Sequence, residues 1–327
     1  MKLSVIIVSY NEKEYIEEAI DSCLNQICDI PFEIIIGDDG SNDGSVEIIE
    51  KYKKQYPDII KFFVMNREDI IDPIPSIRVS NIIKKAFKIA SGNYFCILSA
   101  DDKFIDMNKF SFQINFLEEH KNYSSCYTDF KKFWNDESEV VIKQKASISN
   151  SLFWAYKYVH ISCFVFNRKV LNFVLDNFCD DTGLIYSIFL AGKSKHLDKI
   201  TFGYRQRDKS IMHEADKVEL SIIELLLYND ILKKNKYLNS SLSRFSKPIK
   251  YLYDNRKQIE NDKYKKYIKY SLKDNTNNLL LQLKNYDSLN KKDKIKIRVI
   301  IIKSAILRKI FLFMGTISMK INYFIGK

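Results

Sequence analysis

Proline and glycine are scarce in this chain, at 5 and 9 of 327 residues. That scarcity argues against long linker-like or low-complexity stretches and predicts an ordered chain. The 46% of hydrophobic residues is enough for one large α/β unit with an appendage, or for two units. No C-x-x-C spacing occurs among Cys23, Cys28, Cys96, Cys126, Cys163 and Cys179, and most of them lie in apolar segments. Reduced, partly buried thiols in a cytoplasmic protein are therefore expected, not a disulfide framework. No apolar run of 18 residues is free of charge, which predicts no transmembrane helix. Met1-Lys2 leads straight into an apolar segment, and Glu12 and Glu14 follow too soon for a signal-peptide core. No internal repeat is visible.

Charge is present but uneven. The net charge is +11, yet residues 231–327 carry 24 Lys and Arg against 6 Asp and Glu, leaving residues 1–230 with 28 against 35. An acidic front and a basic tail predict chemistry in the first part and surface attachment in the second. In residues 291–325, Lys294, Lys296, Arg298, Lys303, Arg308 and Lys309 interrupt an Ile, Leu and Phe face. This composition fits an interfacial helix on an anionic membrane surface with snorkelling cations, which would make the protein peripheral to the inner face of the cell membrane. The competing reading is a helix packed on the front part or in a homodimer interface. Nucleic acid is not expected as a partner, because the tail's aromatics form no stacking platform and the front is acidic.

Apolar periodicity alternates through the first hundred residues. Leu3–Val8, Phe32–Gly37, Ile60–Val64 and Tyr94–Leu98 read as buried strands. Between them lie helical patterns: Ile16 to Ile27 with Asn11 as N-cap, a segment carrying Ile48, Ile49 and Tyr52 capped by Asn42 or Asp43, and Ile82 to Ala90 after a loop marked by Pro73 and Pro75. Strand–helix alternation predicts an α/β fold with a parallel sheet covered on both faces. Beyond Asp102 the pattern is mixed. Strands are expected at Ser124–Thr128, Val140–Gln144, Ile161–Phe166 and Ile200–Arg205, and helices at Met107–Glu119, Arg168–Asn177 and Asp181–Ala191. From about Asp216 the chain reads as helical.

Two pairs of adjacent aspartates end apolar strands: Asp38 and Asp39 in IIIGDDGSNDGS, and Asp101 and Asp102 in YFCILSADD. Strand ends line the ligand crevice of an open α/β sheet. Clustered acids repel unless a cation or a donor-rich ligand relieves them, so the pattern suits a sugar nucleotide held through a divalent metal. The bland alternatives are turn formation and helix capping, which suit Asp43 well.

These segments, together with LSVIIVSYNE, ASGNYFCILSADD and CDDTGLIYSIFLAGK, resemble the family 2 glycosyltransferases in order and spacing over roughly residues 1–210. The resemblance implies a GT-A fold: a Rossmann-like mixed, mainly parallel sheet flanked by helices. It divides the chain into a catalytic domain at 1–215 (a nucleotide-sugar half at 1–102 and an acceptor half at 103–215) and a helical basic region at 216–327. It also implies site roles. Tyr10 would stack on the donor's base, and Asp39 would accept the imide N–H of uracil or thymine, which cytosine lacks. Asp102 would ligate Mg²⁺ or Mn²⁺, and Asp101 would contact metal or ribose. Ser99 stands where many relatives have a further Asp. Asp181, with Asp180 as fallback, would be the base of an inverting transfer, or the two would simply cap a helix. Arg78 would meet the donor diphosphate or form a surface ion pair. Arg207 stands where many relatives have His and would bind diphosphate; His213 could replace that imidazole. His160 would line the acceptor pocket or pack structurally. The implied reaction moves a hexose or N-acetylhexosamine from a UDP-sugar, less readily a dTDP-sugar, to a glycan acceptor. A lipid-linked acceptor in bacterial surface-polysaccharide assembly fits the basic tail. The competing class is a catalytically silent sugar-nucleotide-binding or scaffold protein of the same fold.

Overall fold

The computed structural model describes residues 2–67, 74–144, 159–207, 216–234 and 245–264, with 267, 289, 291, 294, 295, 297, 298 and 300. Its first strand, β1 (Leu3–Ser9), is almost wholly buried and lies between two parallel neighbours, β2 (Phe32–Asp38) and β4 (Tyr94–Ser99); β3 (Ile60–Val64) adds parallel to β2. Apolar runs form β1, β2 and β4 because both faces of the sheet are covered there. The edge strand β3 is only half-buried, with Val64 exposed and the Lys61 side chain partly so. Register then sets the site. Ser9 pairs with Asp38 and Val8 with Ser99, so β1, β2 and β4 end level with one another. The residues that follow, Tyr10, Asp39 and Asp101–Asp102, emerge along one edge.

The second half is mixed. β5 (Lys103–Phe104), β6 (Tyr123–Phe133), β7 (Glu139–Ile142), β8 (Phe164–Asn167) and β9 (Lys193–Arg205) extend the sheet in the order β3-β2-β1-β4-β8-β6-β9-β5, with β7 paired to β6. β8 runs antiparallel to β4 and β6, while β6 and β9 are parallel. Helices α1 (Ile16–Leu24), α2 (Ser45–Gln55), α3 (Pro75–Ile89), α4 (Lys109–Glu119) and α5 (Asp181–Ala191) bury apolar stripes such as Ile16, Ala19, Ile20 and Cys23 of α1. α6 (Lys217–Lys234) and α7 (Ser246–Asp254) follow, so the described part of the C-terminal region is helical as expected. All six cysteines are free thiols.

Several local expectations fail for identifiable reasons. Asn11 does not cap α1: it takes a left-handed φ of 53°, which Asn tolerates, its backbone N–H donates to Ser41 Oγ, and its side-chain Oδ1 accepts from the Asn42 N–H. α1 ends at Leu24, and Ile27 is 58% exposed instead of inward. Pro75 is the first residue of α3, where its missing N–H costs nothing. Residues 161–163 form a 3-10 turn, with the Ser162 N–H donating to His160 Nδ1, before the strand resumes. Arg168–Asn177 is not an α-helix. A 3-10 segment covers Arg168–Phe173, and beyond it the backbone donors find tertiary partners. The N–H groups of Asn177 and Phe178 donate to Asp230 on α6, and that of Cys179 donates to Ser80 Oγ on α3. Those bonds replace the helical ladder that local propensity favours.

Candidate active site

Asp38 and Asp39 diverge at the tip of β2. Gly37 precedes them because a Cβ there would lie 2.3 Å from Ile82 Cγ2 and 2.8 Å from the Phe63 ring. Close approach of α3 to β2 is thus what seats the pair. Asp38 is fully buried and builds the turn, accepting from Ser41 N–H (2.7 Å) and Ser41 Oγ (2.6 Å). Asp43 does likewise for Ser45 and Lys13. Asp39 is 4% exposed. Its Oδ2 accepts from Arg78 Nε at 2.7 Å and from Arg67 Nη2 at 3.0 Å. Its Oδ1 is buried and has no hydrogen-bond partner among the described residues. An acceptor atom left open inside an otherwise paired carboxylate is costly without a ligand. The Arg67 guanidinium also lies over the Tyr10 ring, 3.7 Å from its centroid. Arg78 is therefore engaged with Asp39.

The acids after β4 meet those of α5. Asp102 is buried, and its Oδ1 accepts from the Arg205 backbone N–H (2.8 Å). Its carboxyl is pushed well above the usual range by burial, then by the charges of Asp101 and Asp181. Asp101 accepts from Arg207 Nη2 (2.5 Å), and Arg207 forks onto Glu12 at 2.8 and 2.9 Å. Burial, only partly offset by Arg207, lifts the Glu12 carboxyl to about 7. Asp180 caps α5, accepting from Gly183 N–H at 3.1 Å, and burial raises it to about 6. Gly183 is needed because a Cβ there would meet the Phe178 carbonyl at 2.1 Å. Asp181, the first residue of α5, receives no hydrogen bond among the described residues. Burial, then Asp180 and Asp101, lift it to about 7. A partly accessible carboxylate with a pKa near neutrality is what a general base requires. His160 is 4% exposed and packs on Phe202 (4.5 Å) and Tyr204 (4.7 Å). Burial first, then Lys132, depresses it to about 3, so the ring is a neutral member of an aromatic cluster.

The glycosyl transferase family 2 model matches residues 4–175, more than half of the chain. The chain belongs to that family. It is similar to a poly(ribitol-phosphate) beta-glucosyltransferase of Bacillus spizizenii, 35% identical over 103 residues, which are 31% of this chain and 15% of that protein. A dolichol-phosphate mannosyltransferase of Pyrococcus furiosus is 33% identical over 101 residues, 31% of this chain and 26% of its own. The matches to the curated relatives thus span well under half of their lengths. The fold resembles S. aureus TarS 1-349 in complex with UDP-GlcNAc (TM-score 0.59, 16% identity, 100% of this chain and 93% of that one). It also resembles the mannosyltransferase PcManGT of Pyrobaculum calidifontis in complex with GDP-Man and Mn²⁺ (TM-score 0.52, 14% identity, 94% and 86%). The GT-A architecture expected from sequence is the one observed.

Within this family 2 glycosyltransferase, Tyr10, Arg78 and Asp39 come together at one end of the strand edge. Asp101, Asp102, Arg207 and Asp181 come together at the other. His213 lies outside the described residues. No group of three metal-ligating side chains occurs among the described residues. The chemistry of the acids nonetheless fits a divalent ion on one protein carboxylate. Asp102 is buried beside Asp101 and Asp181 with no cationic side chain bonded to it among the described residues, whereas Asp101 already holds Arg207. Glu12, Arg67 and Arg205 were missed by sequence reasoning. The signal was available in part: Glu12 follows the tip of β1, and Arg67 follows β3, whose tip lies level with Asp38. A cleft of about 680 Å³ opens beyond the Glu12–Arg207 pair, lined also by Tyr15, Trp134, Asn135 and Gln206.

Proposed function

We propose that this glycosyltransferase is an inverting, metal-dependent enzyme that moves a hexosyl or N-acetylhexosaminyl group from a UDP-sugar to a glycan acceptor. The observation that carries the reading is the meeting of Asp181 with Asp101 and Asp102 at the strand tips. No hydrogen bond reaches the Asp181 carboxyl among the described residues, and burial, then Asp180 and Asp101, raise it to about 7. The UDP-GlcNAc bound to TarS and the GDP-Man bound to PcManGT support a nucleotide-sugar donor. Asp39 Oδ1 is the acceptor atom for the base N–H, with Tyr10 as the stacking surface, and Asp101 serves the ribose. Arg207, forked between Glu12 and Asp101, faces the diphosphate. Asp102 would hold Mg²⁺ or Mn²⁺, which when bound offsets the charge growing on the leaving diphosphate.

Asp181 takes the proton of the acceptor hydroxyl as that oxygen attacks the anomeric carbon opposite the leaving group, and Asp180 holds the start of α5 in place. His160 supports the acceptor side through the aromatic cluster it packs in. In this reading residues 1–215 are the catalytic unit and 216–327 a helical region that meets an anionic membrane, suiting a lipid-linked acceptor in bacterial surface-polysaccharide assembly. Transfer or hydrolysis of UDP-sugars tests the assignment. Asp181→Asn is expected to lose at least about 100-fold in rate, the usual scale for general-base loss; full activity in that variant, with Asp180→Asn inactive, would transfer the role to Asp180. EDTA is expected to abolish transfer and Mn²⁺ to restore it. Activity unchanged by EDTA would remove the metal from the scheme.

A further inference from the structure

Arg67 occupies the place proposed above for the donor's base. Its guanidinium lies 3.7 Å from the Tyr10 ring centroid, a stacking distance that leaves no room for a base between them. Its Nη2 donates to Asp39 Oδ2 at 3.0 Å, and its Nε donates to the Asp39 carbonyl at 2.7 Å. A planar, π-stacking group carrying N–H donors toward Asp39 has the recognition features of a pyrimidine imide. Meanwhile Asp39 Oδ1 is buried and has no hydrogen-bond partner among the described residues. Of the two arginines on Asp39, Arg78 is 17% exposed and Arg67 is 38% exposed. Arg67 is the one with somewhere to go.

We propose that Arg67 is a stand-in for the nucleobase that the donor must displace from Tyr10 and Asp39, and that it thereby sets donor affinity. The idea rests on the donor-site reading above. Arg78 stays on Asp39 during the exchange and keeps the carboxylate ionised and oriented. Arg67, once displaced, stands at the rim beside the bound nucleotide. A ligand with a stacking face but no N–H for Asp39 bears the same displacement cost with fewer contacts in return. Arg67 therefore raises the threshold for every base, while Asp39 sets the preference among them.

The test is isothermal titration of the full chain with UDP, in wild type, Arg67→Ala, Arg67→Lys and Asp39→Asn, with CMP as the ligand lacking the imide N–H. Arg67→Ala is expected to bind UDP about tenfold more tightly than wild type, equivalent to about 1.4 kcal/mol, with a smaller gain for Arg67→Lys. CMP is expected to gain by a similar factor, because the displacement cost is common to both ligands, so the preference for UDP over CMP stays that of Asp39. Weaker or unchanged UDP binding by Arg67→Ala, at unchanged thermal stability, would make Arg67 a clamp or a bystander and overturn the proposal. Asp39→Asn separates the two levels. If wild type binds UDP and Asp39→Asn does not, the donor reading stands whatever Arg67 does. If neither wild type nor Arg67→Ala binds UDP, both ideas fall.

Discussion

At the scale of single residues, burial has turned several carboxylates into groups poised near neutrality. Asp181 is the clearest case. Its pKa of about 7 means the folded chain holds that proton more tightly than the unfolded chain, where an Asp titrates at about 4. The stability this contributes is present below pH about 4 and fades as pH rises toward 7. The rate should move oppositely, rising through pH about 7 as the base ionises. Asp181→Asn is therefore expected to be inactive yet to melt above wild type at pH 8, measured by calorimetry without ligand. A lower melting temperature there would mean the side chain is structural. Glu33 shows the reverse. Burial would raise it, but Lys61, Ser4 and Ser91 outweigh burial and hold it at about 2. Its stabilising share is present above pH about 4 and is lost as pH falls through 2. Glu33→Gln should cost roughly 2–3 kcal/mol at pH 7, because it breaks a buried network while leaving its donors in place. Denaturant unfolding would measure the loss.

Among elements, the parallel strands were legible and the link from β8 to α5 was not. Leu3–Val8, Phe32–Gly37 and Tyr94–Leu98 show in the sequence because strands buried on both faces must be largely apolar, and Ile60–Val64, a half-buried edge strand, shows through Ile60, Phe62 and Phe63. The Arg168–Asn177 segment has helical composition, yet the N–H groups at its end and just after it, those of Asn177, Phe178 and Cys179, donate to Asp230 and Ser80, which come from distant helices. Periodicity within a window carries no record of such partners. Asp230→Ala should leave the Asn177 and Phe178 N–H groups unsatisfied and cost about 1–3 kcal/mol. Because the same stretch leads into Asp180 and Asp181, the rate should fall more than donor binding does. Equal losses in both, from steady-state kinetics, would argue against this. At β2, Gly37→Ala forces a Cβ onto Ile82 and should destabilise by roughly 1–3 kcal/mol. It should also weaken nucleotide binding by moving Asp39.

Across the whole molecule, the acidic front and basic tail remain distinct in charge, but the tail is not wholly separate in space. Ile297 is buried in the same apolar cluster as the sheet, and Leu289 and Ile300 pack against it, while Lys291 and Arg298 face outward. Packing and membrane contact are thus compatible for the start of this segment. Among the described residues no helix is long and apolar enough to cross a membrane. Residues 301–327, with Lys303, Arg308 and Lys309, lie outside the described part. Flotation with vesicles containing about one-third anionic lipid is expected at low salt and should be lost near 1 M salt, where the screening length is about 3 Å. Removing residues 301–327 should abolish it. Flotation equal to that of the full chain would place the membrane contact elsewhere.

The sequence by itself determined the family, the strand–helix alternation and the identity of the acids at the strand tips, because two-sided burial and turn chemistry leave local marks. Which partners those acids keep was decided only by tertiary structure. Arg67 on Tyr10, Arg207 between Glu12 and Asp101, and Asp181 unbonded beside Asp101 are contacts between residues tens to more than a hundred positions apart. Their strength comes from burial, and burial is a property of the assembled sheet and not of any segment within it.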